Sequence, residues 1–308
     1  MTSPLLTAPT PDDVIDCEMT DGAIVRVRRY VHGGGPRLIA SHGNGFAIEA
    51  YWPFLSQFSD RYELVIFDLR NHGQNPLHLL RNHRIERFVS DFEATLRAIQ
   101  THYGVRQTVG IFHSISSITA LLHALRHSWQ WDALVVVDPP LVPPPGHHLY
   151  TLAHAAELRL SDWASSRPER FDSPEDLANI LANARTNVRW RANVPELMAK
   201  AVLRKADDAG GWSLACPGTF EAQVYADNAN LNLGPALSAL EGPLMFACAD
   251  PTAPSAWSPA KVNSAFQHIH GHTYHAFEGA GHMLQLEEPE LVGERIQRFL
   301  GEAGITTD

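Results

Sequence analysis

At 308 residues, with 44% hydrophobic and 19% charged side chains and with 21 glycines and 21 prolines spread along it, the chain has the composition of a globular protein with a large core, not of a disordered or collagen-like one. A formal net charge of -10 disfavours nucleic acid and anionic membranes as partners. The three cysteines, Cys17, Cys216 and Cys248, lie far apart without C-x-x-C spacing, which argues against a disulfide framework or a thiolate metal site and fits a reducing compartment.

Met1 to Asp21 holds prolines and acids but neither a basic start nor an apolar run. No window approaches the ~18 apolar residues of a membrane span, so a cytoplasmic location without membrane insertion is expected. Apolar runs and amphipathic stretches then alternate, the pattern of a mostly parallel sheet covered by helices on both faces. Ala23 to Val31 alternates and reads as an antiparallel edge strand. Arg37 to Ser41 reads as a buried strand running into His42-Gly43-Asn44-Gly45-Phe46, and Tyr62 to Phe67 as another running into Asp68-Leu69-Arg70-Asn71-His72-Gly73. A helix over Arg84 to Tyr103, a strand over Thr108 to Phe112, a helix over Ser114 to Arg126 and a strand over Trp131 to Val137 follow, the last closing on Asp138-Pro139-Pro140.

There the alternation stops. Residues 141–233 read as an insertion of several helices, one of them capped by Ser173 with Pro174 at its first position. Its aromatics, Trp163 and Trp190 among them, suggest a helical cap over the loop edge of the sheet. The expected organisation is therefore a core of residues 1–140 and 234–308 with a cap of 141–233. Alternation resumes with a strand over Pro243 to Ala249, a helix near Ser258 to Gln267, a strand over Thr273 to Phe277 and a helix over Pro289 to Leu300.

In an open parallel sheet, chemistry gathers at the carboxyl ends of the strands. Ser114 stands on a strand-to-helix turn, which exposes its hydroxyl and aims the amino end of a helix at whatever it attacks. His282, in Glu278-Gly279-Ala280-Gly281-His282-Met283, could remove the serine proton, and Asp250, ending the Pro243 to Ala249 strand, could hold the other imidazole nitrogen. Asp138 ends the preceding strand and is the rival for that carboxylate. The backbone N–H groups of Ile115 and Asn44 are the candidate donors to an oxyanion.

These motifs together (a His-Gly loop, Asp-x-Arg-x-His-Gly, a His-Ser turn, a helical insertion, Ala-Asp-Pro and Gly-Ala-Gly-His) resemble the α/β-hydrolase fold superfamily from about Ala23 to Leu300. The resemblance implies Ser114, Asp250 and His282 as a triad, Asn44 and Ile115 as the oxyanion hole, and a structural role for Asp68 to Gly73. Phe112 and Ser116 depart from it, standing where the nucleophile elbow G-x-S-x-G has glycines, and Asn71 stands where glycine is more usual. Phe46, Phe112, His113, Trp163, Trp190 and Met283 are candidates to line the pocket.

The expectation is a cofactor-free serine hydrolase of a small-molecule carboxylic ester with an apolar acyl or alcohol part. Carbon–carbon bond hydrolysis, thioesterase and acyltransfer chemistry, or ligand binding without turnover, are the alternatives on the same scaffold. His268, His270, His272 and His275 raise the question of a metal, but no acid or thiolate joins them locally and none is expected. Gly33-Gly34-Gly35 precedes a strand without phosphate-loop spacing and reads as a turn.

Overall fold

Runs such as Leu-Met-Phe-Ala-Cys at 244–248 cannot lie on a sheet that faces water on one side. The computed structural model, which describes residues 7–206 and 210–307, buries every residue of that run. Of the stretch Met1 to Asp21, residues 1–6 lie outside the described residues.

Six strands precede the insertion: β1 (Asp13–Glu18), β2 (Ile24–Tyr30), β3 (Arg37–Ser41), β4 (Glu63–Phe67), β5 (Thr108–His113) and β6 (Ala133–Val137). Two follow it, β10 (Leu244–Cys248) and β11 (Thr273–Ala276), and the eight pair in the order β1-β2-β4-β3-β5-β6-β10-β11. The β1–β2 and β2–β4 pairs are antiparallel and all later ones parallel. Helices α2 (Ile85–Tyr103), α3 (Ile115–Arg126) and α8 (Ser258–His270) close the core on one face; α1 (Trp52–Leu55) and α10 (Pro289–Glu302) close it on the other. β1 escaped the sequence reading because it is a half-exposed edge strand, Asp-Val-Ile-Asp-Cys-Glu, too acidic for a buried run.

Between β6 and β10 lie α4 (Tyr150–Ser166), α5 (Pro174–Asn183), α6 (Val194–Val202) and α7 (Gly218–Asn228), none of which adds to the main sheet. Ser173 caps α5 with a reciprocal bond to Asp176, and Pro174 occupies the first turn. A small antiparallel sheet, β7 (Arg170–Phe171), β9 (Trp212–Leu214) and β8 (Leu203–Lys205), was not expected; its strands are two or three residues long and leave no periodic signal. No helix of the described residues is long and apolar enough to cross a membrane.

Asn71 adopts φ +64°, a left-handed conformation that asparagine tolerates better than most residues, so glycine is dispensable there. The motif around it is structural. The Asp68 carboxylate accepts the Ile48 N–H at 2.8 Å and pairs with Arg28 at 2.6 Å beneath the loop that follows β3.

Candidate active site

At the end of β5 the chain turns through Ser114 at φ +53°, ψ -120° and enters α3 at Ile115. Such a conformation is costly for a residue with a Cβ and marks a functional turn. The Ser114 N–H donates to the carbonyl of Val137 on β6 at 2.9 Å, which ties the turn to the neighbouring strand. The departures from the glycine pattern now have a physical account. Ser116 Oγ accepts the His113 N–H at 3.0 Å and donates to the His113 carbonyl at 2.9 Å, and Ser117 Oγ donates to the Phe112 carbonyl at 2.5 Å. These hydroxyls hold the strand end on the helix. The Phe112 side chain is fully buried in the core cluster that also holds Ile115, Ile118 and Leu121 of α3, with ring centroids 5.0 Å from Phe92 and 5.5 Å from Trp131. Gly110 makes the room, since a Cβ there would lie 2.6 Å from the Phe112 ring.

Above Ser114 lies His282, whose Nε2 is 3.1 Å from Ser114 Oγ and whose Nδ1 is 2.7 Å from Asp138 Oδ2. This corrects the choice of acid. Asp250 accepts the Thr252 N–H at 2.8 Å, the Thr252 hydroxyl at 2.6 Å and the Gly279 N–H at 2.8 Å, and so braces the loop that leads to His282 without touching the imidazole. The reason is sheet order. β6 lies directly beside β5, so an acid at its end reaches the imidazole over Ser114, whereas β10 is one strand further out. Asp138 is fully buried, at φ +40°, and its Oδ1 accepts the Ala249 N–H at 3.2 Å and the Asn263 amide at 3.4 Å.

The loop after β3 packs directly on this turn. Gly43 leaves no room for a Cβ, which would meet Ser114 Cβ at 3.1 Å, and Gly45 takes φ +74°. In this loop Gly43 N–H donates to Tyr51 Oη at 3.3 Å and Gly45 N–H to His72 Nε2 at 3.0 Å. Between them the Asn44 N–H, like that of Ile115 across the site, makes no hydrogen bond among the described residues. Two free backbone donors, one in the loop packed on Ser114 and one on the next residue after it, suit an oxyanion.

His113, expected to line the pocket, is instead a buried brace. Its Nε2 is 3.0 Å from the His282 carbonyl, which can only accept, so Nε2 carries the proton and Nδ1 accepts from Tyr51 Oη at 2.8 Å. Burial holds His113 well below the usual histidine range, in keeping with this neutral form. Trp163 is a second correction: 53% exposed, it lies under the Arg167 guanidinium on the outside of α4. Phe112 is a third, as described. Phe46 is half-buried at the end of the Asn44 loop, edge-on to Trp190 at 6.3 Å, and Met283 is buried in the same apolar cluster.

Sequence reasoning missed the polar groups of α4 and α7. Asn44 Nδ2 donates to the Glu221 carbonyl at 2.9 Å, which sets the start of α7 on the Asn44 loop. Asn228 Nδ2, at the far end of that helix, donates to the Pro140 carbonyl at 2.9 Å and to Glu157 Oε2 at 2.9 Å. Glu in an amphipathic helix reads as a solvent-facing residue, so no signal marked Glu157. Of the histidines of 268–275, His270 stacks on Phe246 at 4.4 Å and on His272 at 5.2 Å, and His272 Nε2 bonds the Leu237 carbonyl. His72, His83 and Cys216 do converge, but both nitrogens of His72 are already engaged, on Gly45 N–H and the Arg70 carbonyl.

Residues 30–295 match the alpha/beta hydrolase family. A protein of Enterobacter cloacae subsp. cloacae to which the name carbamate hydrolase RutD has been given is 25% identical over 198 residues, 58% of this chain and 69% of that protein. The crystal structure of E-2-(acetamidomethylene)succinate hydrolase superposes with a TM-score of 0.77 at 18% identity, covering 94% of this chain and 99% of the other. A thermophilic esterase from Thermogutta terrifontis superposes with a TM-score of 0.68 at 16% identity, covering 96% and 100%.

Proposed function

The chain belongs to the alpha/beta hydrolase family and is a hydrolase, and from that premise we propose that it cleaves a carboxylic ester through a covalent acyl-enzyme, with Ser114 as nucleophile, His282 as general base and Asp138 as the acid partner. The observation that carries this reading is the unbroken series Ser114 Oγ, His282 Nε2 at 3.1 Å, His282 Nδ1 and Asp138 Oδ2 at 2.7 Å.

In this scheme Ser114 Oγ attacks the ester carbonyl as its proton passes to His282 Nε2, and Asp138 holds the imidazolium that forms. The oxyanion takes the free N–H groups of Asn44 and Ile115, each donor of this kind contributing about 10²–10³ in kcat. Collapse expels the alcohol, which takes the proton from His282, and water activated by the same imidazole releases the acid. The chain's own residues supply each of these roles without a cofactor. Phe46 and Trp190 offer an apolar wall beside the Asn44 loop for the hydrocarbon part of the substrate. A carbamate is a second reading, favoured by the name of the Enterobacter relative; the same residues would then expel an amine.

A fluorophosphonate probe with mass spectrometry tests the proposal. An adduct on Ser114, absent in Ser114→Ala, is expected together with turnover of p-nitrophenyl esters. Folded protein that neither labels at Ser114 nor hydrolyses any ester of the panel refutes it.

A further inference from the structure

Among the described residues the buried carboxylates pair with an arginine or a histidine, except Asp250 and Glu157. Asp68 pairs with Arg28 at 2.6 Å, Glu63 with Arg37 at 2.7 Å, Asp91 with Arg70 at 2.5 Å, Glu221 with Arg167 at 2.6 Å and Glu287 with Arg189 at 3.2 Å, while Asp138 serves His282. Asp250 instead takes three hydrogen bonds from Thr252 and Gly279. Glu157, on α4, is 3% exposed, and among the described residues it has a single hydrogen-bond partner, the Asn228 amide, and no ion pair.

Leaving a carboxylate buried with one neutral donor costs several kcal/mol, and exchanging such a group for a neutral or apolar one of similar volume is often stabilising. Burial therefore pushes the Glu157 carboxyl up to about 7. Its location gives that cost a purpose. Asn228 bridges Glu157 to the Pro140 carbonyl, two residues past Asp138. Glu157 and Asn228 sit at one end of a polar face of α7 whose other residues, Tyr225 and Glu221, follow at helical spacing; Tyr225 Oη donates to Glu221 Oε1 at 3.2 Å.

A second, independent group points the same way. The Asn44 side chain is 2% exposed, and because its amide nitrogen must face the Glu221 carbonyl, its Oδ1 is the other atom; that oxygen has no partner among the described residues. The Glu157 carboxyl, beyond its one bond from Asn228, and Asn44 Oδ1 are thus acceptors left to be met, the first of them anionic when its proton leaves. A ligand that meets them carries N–H donors and a positive charge.

We propose that Glu157 is a specificity residue that takes the protonated amine of the substrate, so that the ester cleaved at Ser114 is one of an amino-substituted acid, with hydrocarbon toward Phe46 and ammonium toward Glu157 and Asn228. This rests on the ester-hydrolase reading above.

Two esters of equal shape test it: p-nitrophenyl 3-aminopropanoate and p-nitrophenyl butanoate, which differ by ammonium against methyl. The wild type is expected to favour the amino ester in kcat/KM, and in Glu157→Gln and Glu157→Leu the amino-to-butanoate ratio should fall at least tenfold. A ratio unchanged in both variants, or an equal loss on both esters, overturns the proposal by assigning Glu157 to packing or to the imidazole. Binding of n-propylammonium followed by NMR separates this from the catalytic reading, because it needs no turnover. Saturable binding weakened at least tenfold by Glu157→Gln is expected, whereas no binding to wild type, or equal binding to both, overturns the proposal even if ester hydrolysis stands. Thermal melts confirm that the variants fold.

Discussion

Asp138 and Asp250 both end an apolar strand, and exchanging each for asparagine separates the role of one from that of the other. At position 138 the side-chain oxygen nearest Ala249 N–H and the Asn263 amide has a reason to remain an oxygen, since it accepts from both, at 3.2 and 3.4 Å. The asparagine NH₂ would then face His282 Nδ1 in place of the carboxylate now 2.7 Å away. Two donors cannot share that contact, so Nδ1 must become the acceptor and the imidazole proton moves to Nε2, opposite Ser114 Oγ, where it can no longer receive the serine proton. By analogy with serine proteases, a wrong tautomer of this kind costs about 10⁴ in kcat, or ~5.5 kcal/mol of transition-state stabilisation, with KM nearly unchanged. Asp250→Asn keeps one oxygen for three donors and loosens the loop before His282, which is expected to cost ~1–3 kcal/mol of stability and less than tenfold in kcat. Steady-state kinetics on p-nitrophenyl butanoate, with melting curves for both variants, decide the matter. Asp138→Asn within tenfold of wild type, or Asp250→Asn equally inactive while folded, would refute the assignment.

Tyr51→Phe removes the hydroxyl that joins Gly43 N–H to His113 Nδ1, and His113 in turn holds the His282 carbonyl. A drop of about 10–100-fold in kcat with KM held is expected from the loosened alignment of imidazole and oxyanion loop, and an unchanged kcat would reduce the network to packing. Glu157 titrates in the folded protein at about 7 rather than its ordinary 4.5, so the folded state binds this proton more tightly than the unfolded one. Its contribution to stability is therefore favourable at low pH and is lost as pH rises from about 4.5 to about 7, by up to ~3 kcal/mol. Urea unfolding of wild type and Glu157→Gln across that range should show the variant gaining relative to wild type until about pH 7 and then running parallel; curves parallel throughout would show that the carboxyl is not desolvated.

Much of the fold was legible because a strand buried on both faces must be apolar at every residue, as in Ala133–Val137 and Leu244–Cys248, and because its covering helices must be amphipathic. Local conformation was legible too. The His113-Ser114 junction and the Ser173 to Asp176 box declare themselves in consecutive residues, as turns and caps do. Ser114, His282, Asn44 and Ile115 could be nominated because each lies in a glycine-rich or strand-ending loop. What no linear pattern contains is which strand ends are neighbours. Asp138 and Asp250 look alike in sequence, and only the order β5-β6-β10 puts the first against His282 and the second outside it. The direction of a side chain from a strand is equally a matter of packing: Phe112 fills the core over Gly110, while the next residue, His113, braces His282. Glu157 is the extreme case. It becomes a buried carboxyl with a single neutral partner only when α4 and α7 pack together, because burial belongs to the assembled surfaces and not to the residue.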